Sequence, residues 1–111
     1  MGSFSDNSHV RFYVRATANS TTIQESFNVA SVEDTATGRM TVNVATDFVG
    51  ATWAPGMVIV EDQADANIIV GAIDNGTITA GVFVMDAWLV GATTEALNDP
   101  VSWSAWGFGN Q

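Results

Sequence analysis

β-branched residues dominate this chain, and along short runs they alternate with polar residues. Val, Ile and Thr make up 32 of the 111 residues, whereas Leu occurs twice and Lys not at all. Branching at Cβ restricts χ1 and disfavours helices, while such side chains pack well on the pleated surface of a sheet. Leu and Lys are leading helix formers, so the composition argues against a helical bundle. We therefore expect a fold made almost wholly of strands.

Runs with a period of two, or of continuous apolar residues, indicate where the strands lie. These runs are at residues 10–15, 23–32, 39–44, 57–61, 68–73, 77–85 and 101–106, and residues 87–90 are a further strand or the continuation of the run before them. Turn-forming residues separate them at roughly the 8–12-residue spacing of sandwiches and barrels. The sequence therefore predicts an all-β fold, an antiparallel, jelly-roll-like β-sandwich of seven to eight short strands.

Several local patterns give more specific expectations. Asn75-Gly76 is typical of a tight type I′ hairpin, because both residues tolerate a positive φ. Pro55-Gly56 is typical of a type II turn. The apolar run at 68–73 is typical of a strand buried on both faces. Phe48 and Trp53 are expected to anchor an irregular segment to the core.

The length predicts one domain with a polar extension. A chain of 111 residues is near the size of a single domain, so residues 10–111 are expected to form one β-sandwich domain. Residues 1–9 are polar and small, and they lack the basic and apolar regions of a secretory signal. We interpret them as an N-terminal arm.

The charge of the chain excludes several classes of partner and chemistry. A formal net charge of −9 repels phosphate backbones and anionic lipid, so we expect neither nucleic-acid binding nor membrane insertion. The absence of Cys excludes disulfides, thiol catalysis and Cys-ligated zinc. His9 is the only imidazole and has no second His or Cys with which to share a metal. We expect no cofactor, no bound metal and no catalytic residue.

Four tryptophans are the main candidate contact residues, and they are many for a chain of this length. They are Trp53, Trp88, Trp103 and Trp106. Each can bury a large area in a core or a subunit interface, and the alternative is sugar stacking on an exposed platform. Trp103 and Trp106 differ in parity, so a regular strand would point them to opposite faces of its sheet.

An acidic loop supplies the other candidate contacts. Asp62 and Asp65 offer oxygen ligands of the kind that suit a hard cation. Their loop lacks the central Gly and the downstream Glu of a calcium-binding loop, so a solvated surface loop is the favoured interpretation.

Residues 11–48 and the last strand resemble a module common in tailed bacteriophages. The stretches that carry the resemblance are residues 11–14 (RFYV), 23–34 (IQESFNVASVED), 37–44 (TGRMTVNV) and 101–110 (VSWSAWGFGN). The module occurs at the ends of tail fibres and as small stand-alone virion proteins. Two positions depart from its pattern, since Thr35-Ala36 replaces the usual Asn-Gly and Met40 replaces a tyrosine.

The resemblance implies a non-enzymatic protein exposed on the virion surface, which forms a homotrimer and contacts other virion proteins. Three functions stay open. The first is a fibre tip or knob that attaches to a host glycan or receptor. The second is a capsid decoration protein that binds the shell. The third is a carbohydrate-binding module that uses the tryptophans.

Overall fold

A computed structural model of the chain describes residues 9–17, 22–60, 68–90 and 95–111. These residues form two antiparallel sheets packed face to face, which confirms the predicted all-β sandwich. The strands are β1 (Val10–Thr17), β2 (Ile23–Phe27), β3 (Val29–Ala36), β4 (Arg39–Val44), β5 (Ala54–Val60), β6 (Ile68–Asp74), β7 (Val82–Val90), β8 (Glu95–Leu97) and β9 (Ser102–Phe108).

Three hairpins, together with β5, β8 and β9, build the two sheets. Sheet A has the strand order β2-β1-β9-β5, and sheet B has the order β3-β4-β7-β6. β8 pairs with the end of β7 beyond β4, on the side away from β6. The hairpins β1–β2, β3–β4 and β6–β7 each stay within one sheet. These connections supply the strand order of each sheet, which the prediction of a jelly-roll-like sandwich leaves open.

Asn28 divides what the sequence pattern predicts as one strand. It has φ of 57°, and the chain changes sheets there, from β2 in sheet A to β3 in sheet B. Its Nδ2 donates to the Arg11 carbonyl oxygen at 2.9 Å, and its Oδ1 accepts from the Thr46 backbone N–H at 3.1 Å. Asn tolerates the left-handed region better than most residues, and here both polar ends of its side chain fix the corner. This division and the unpredicted β8 raise the strand count of the described residues to nine.

Four aromatic rings join the two sheets. Phe12 of β1 and Phe83 of β7 come from opposite sheets, with ring centroids 5.7 Å apart. Phe48 and Trp53, in the connection from β4 to β5, stack at 4.5 Å with an interplanar angle of 5°. The indole Nε1 of Trp53 donates to the Thr79 carbonyl oxygen at 2.8 Å, which satisfies the polar atom of this largely buried ring. The expected anchoring by Phe48 and Trp53 is confirmed.

The predicted type I′ hairpin at Asn75-Gly76 is wrong. β6 and β7 do pair antiparallel, but residues Asn75–Thr77 form a single 3₁₀ turn and neither Asn75 nor Gly76 has a positive φ. Asp74 Oδ1 accepts from the Gly76 N–H at 3.1 Å, and Thr77 Oγ1 donates to the Asp74 carbonyl oxygen at 2.7 Å. These side-chain hydrogen bonds stabilise a turn that competes with the tight hairpin.

Two other local expectations are also wrong. Pro55-Gly56 lies inside β5 rather than in a turn, and Gly56 does not have a positive φ. The apolar run at 68–73 forms β6, an edge strand, rather than a strand buried on both faces. Val70 on β6 is 48% exposed. The sequence pattern thus assigns Pro55-Gly56 to a turn and the run at 68–73 to the core, whereas both belong to edge strands of the sandwich.

Gly38 is a position where we expect a single methyl group to destabilise the fold. Its φ is +71°, and a Cβ there would lie 2.6 Å from the Asn98 backbone nitrogen and 2.8 Å from the Ala87 carbonyl oxygen. Gly38→Ala should lower the free energy of unfolding by more than about 1 kcal/mol in urea denaturation. The control is Gly50→Ala, because Gly50 has open space around it. Equal stability of the two variants would contradict this account of the turn.

Candidate interaction surfaces

The four tryptophans divide into two in the core and two on the outer faces. Trp53 is 7% exposed and Trp103 is 1% exposed. Trp106 is half-buried on the outer face of sheet A, and Trp88 is 36% exposed on the outer face of sheet B. The expectation that Trp103 and Trp106 point to opposite faces is confirmed. Of the four candidate tryptophans, Trp88 and Trp106 are therefore the two available for contacts.

The other candidate contacts are only partly described. Asp62 and Asp65 lie outside the described residues, as do residues 1–8 of the predicted arm. His9 is exposed. Among the residues that the structure describes, no three His, Cys, Asp or Glu side chains come together to hold a metal ion. The same residues contain no helix long and apolar enough to cross a membrane.

On the outer face of sheet A, strand register places a row of aromatic side chains. Tyr13 is paired with Phe27 on one side and with Trp106 on the other, and Trp106 is paired in turn with Gly56. The Tyr13 and Phe27 rings are stacked at 6.0 Å with an interplanar angle of 24°. Phe27 is 53% exposed and Tyr13 is 38% exposed. We call Phe27, Tyr13 and Trp106 the aromatic row.

Gly56 explains how the Trp106 ring is held. A Cβ atom on Gly56 would lie 2.3 Å from Trp106 Nε1 and 2.4 Å from Cε2. The indole therefore extends sideways over β5 and lies along the sheet surface, in space that any other residue at position 56 would occupy. A glycine inside a strand often marks such a close approach. Gly56 is therefore a sequence signal for the position of the Trp106 ring. The sequence does not reveal it, because the dipeptide Pro55-Gly56 is also typical of a turn.

Two of the three arginines flank the aromatic row. Arg11 and Arg15 lie two residues before and after Tyr13, on the same face of β1. Arg11 Nε donates to the Gly109 carbonyl oxygen at 3.0 Å. Arg15 is exposed and lies opposite Glu25 in the strand register, but within the described residues it forms no ion pair. As far as the described part of the chain shows, its guanidinium is therefore available to bind another group.

The outer face of sheet B carries an apolar patch of a different composition. Val70 of β6, Trp88 of β7 and Leu97 of β8 form one row across three strands, and Val90 lies beside it. Val70 is 48% exposed and Val90 is 40% exposed. We call these four residues the Trp88 patch.

The charges that adjoin the Trp88 patch neutralise each other. In the next row, Arg39 Nε lies 3.1 Å from Asp86 Oδ1. Asp86 is only 8% exposed, so it depends on this partner, whereas the Arg39 side chain is 44% exposed. Among the side chains that the structure describes there, the outer face of sheet B therefore presents apolar groups beside a paired ion.

Two open strand edges lie side by side. β5 has no charged residue and β6 has only Asp74. The two strands pack against each other through their inward faces, since a Cβ on Gly71 of β6 would lie 2.7 Å from Met57 Cε of β5. Soluble proteins usually protect such edges with charges, bulges or a covering element. Uncharged edges of this kind are suited to contact with other polypeptide.

The structure also has a shallow depression of about 350 Å³. It is lined by Phe48, Val49, Gly50, Thr52, Trp53, Gly109 and Asn110. None of these residues is charged, and Trp53 is already engaged by stacking on Phe48 and by its hydrogen bond to Thr79. The depression is therefore a weaker candidate site than either outer face.

Comparison of the chain with protein-family models, with curated proteins and with solved structures finds no match.

We expect Gly56→Ala to displace the Trp106 indole without unfolding the protein. The added methyl group would occupy the space of the ring, and the ring lies at the surface, so it can move outward. In ¹H–¹⁵N NMR spectra, the indole N–H signal of Trp106 should shift, while the signals of the buried Trp53 and Trp103 should stay. An unchanged Trp106 signal would contradict the proposed position of the ring.

We expect Arg39→Met to lower the free energy of unfolding by about 1–3 kcal/mol, because it leaves the buried Asp86 carboxylate without its partner. The double variant Arg39→Met/Asp86→Asn should lose less than the sum of the single variants, since it removes the unpaired charge. Urea denaturation of the four proteins measures this coupling. Strict additivity would show that the pair does not stabilise the outer face of sheet B.

Proposed function

We propose that the chain is a non-enzymatic structural protein of the surface of a tailed-phage virion, and that its copies assemble as a homotrimer through the Trp88 patch. The phage assignment and the trimer come from the resemblance of residues 11–48 and 101–110. The observation that carries the assembly is the apolar row of Val70, Trp88 and Leu97 across three strands, in which Val70 and Trp88 are exposed and Leu97 is half-buried.

The composition of the Trp88 patch favours contact with another protein surface. Interface cores are depleted of charged residues and enriched in aromatic ones. The neighbouring Arg39–Asp86 pair is compatible with burial, because each charge already has its partner. The edge strands β5, which has no charged residue, and β6, which has only Asp74, add surface that gains from being covered. The chain also has no lysine with which to guard these edges.

We assign the assembled protein a role in attachment, as a fibre tip or knob. A trimer that contacts itself through sheet B leaves the outer face of sheet A open on each copy. Three linked copies of a weak contact site bind much more tightly than one, because the later contacts are intramolecular. Attachment through repeated weak contacts therefore requires neither a deep pocket nor a catalytic residue.

Sedimentation velocity tests the assembly. The protein should sediment at three times the chain mass, and Val70→Glu should convert it to a monomer by placing a charge in the apolar row. Val101→Glu is the matched control, since Val101 is 52% exposed and lies outside the patch, against 48% for Val70. A wild-type monomer at micromolar concentration, or a Val70→Glu variant that remains trimeric, would overturn this interface.

Labelling of intact phage particles tests the location. An antibody against the protein should bind at the distal end of the tail in electron micrographs. Labelling distributed over the head would instead support capsid decoration and would exclude the attachment role. Absence of the protein from purified particles would exclude both.

A further inference from the structure

The geometry points to an acidic glycan as the partner of the aromatic row: a chain of pyranose sugars that carry carboxylates, with sugar rings on the exposed sides of the stacked Tyr13–Phe27 pair and of Trp106, and a carboxylate on Arg15. This inference deepens the attachment role proposed above and rests on it. It identifies the chemistry of the ligand and the face that binds it.

The shape of the surface fits an extended polymer. The row crosses the sheet from β2 to β5, which is three interstrand spacings of about 4.8 Å each, or roughly 14 Å, the length of about three linked sugar rings. Because Trp106 lies along the sheet over Gly56, the row is a surface rather than a cleft. A surface of this kind suits a linear chain better than a small molecule, for which concave pockets are usual.

The chemistry of the rings fits the faces of sugars. The face of an aromatic ring carries negative electrostatic potential. One face of a pyranose ring presents C–H groups, which are apolar and weakly positive, so the two faces attract each other and exclude water. The hydroxyl groups at the edge of the sugar need polar partners. Ser104 lies in the next row, between Arg15 and Val58, and offers a hydroxyl there.

The charges select the class of glycan. Two of the three arginines of a chain with net charge −9 flank the row. Charges separated by more than about 8 Å are largely screened at physiological ionic strength, so the local balance is set by Arg11 and Arg15 against the neighbouring Glu25, and it is positive. Arg15 has no ion-pair partner within the described residues, and a guanidinium binds a carboxylate with two parallel hydrogen bonds. Glu25, opposite Arg15, is the one acid of β2. Its carboxylate either orients the Arg15 guanidinium or competes for it with the carboxylate of the glycan.

The pairing of the arginines also explains why the outer face of sheet A, rather than the Trp88 patch, is proposed to bind the glycan. A second copy placed on sheet A would bury the guanidinium of Arg15, which forms no ion pair within the described residues, and burying an unpaired charge is costly. On sheet B the corresponding cation, Arg39, is already paired with Asp86. Each outer face therefore has its own type of partner.

The test measures binding of the purified protein to immobilised polygalacturonate, alginate and hyaluronan. Highly methyl-esterified polygalacturonate is the matched neutral polymer, since it keeps the backbone and loses the carboxylate charge. We expect binding to at least one acidic polymer, and binding at least about tenfold weaker to the esterified one where polygalacturonate binds. Trp106→Ala and Arg15→Gln should each weaken binding by about tenfold or more. Val49→Ala, which truncates an exposed side chain outside both faces, should bind as the wild type does.

Each variant is also examined by sedimentation, so that failure of the glycan site and failure of the assembly are separable. Lost glycan binding with an unchanged trimer supports the inference. No binding to any acidic polymer, equal binding to the esterified polymer, or full binding by Trp106→Ala would overturn it, and the trimer would stand. If Trp106→Ala dissociates the trimer, the aromatic row is a subunit interface and the inference fails.

Discussion

The contact between Phe12 and Phe83 is the interaction on which the rest of the structure depends, because it joins the two sheets at their central strands β1 and β7. Trp53 extends this contact to the connection from β4 to β5, with its ring edge-on to both phenylalanines. Gly107 makes the packing possible, since a Cβ there would lie 2.4 Å from Phe12 Cε1 and 2.9 Å from Trp53 Cζ3. These rings form the centre of a core that also buries aliphatic side chains from both sheets.

Some of the exposed apolar residues are grouped on the two outer faces. On sheet A they form an aromatic row beside a guanidinium that has no ion pair within the described residues, and on sheet B they form an aliphatic patch around Trp88 beside a paired ion. Large exposed apolar surfaces on a small protein mark places of contact. From the difference in charge between the two faces we propose two partners, a second copy of the chain on sheet B and an acidic glycan on sheet A.

The sequence predicts the sandwich well because alternation with a period of two is a local signal. It also predicts the opposite orientation of Trp103 and Trp106, which follows from parity alone. The sequence does not predict local structure that a contact between distant parts of the chain determines. Gly56 is a glycine because a tryptophan from another strand lies over it, and Asn28 is a corner because its side chain reaches β1. The apolar run at 68–73 indicates a buried strand, but only the topology shows that β6 is at an edge.

The central claim is that the two outer faces have different roles, with sheet B closed by assembly and sheet A open. Hydroxyl-radical footprinting of the assembled protein, read by mass spectrometry, tests it most directly, because each sheet presents one tryptophan on its outer face. The account predicts that Trp106 is oxidised while Trp88 is protected, and that Val70→Glu makes Trp88 reactive. Oxidation of Trp88 together with protection of Trp106 in the assembled protein would contradict it.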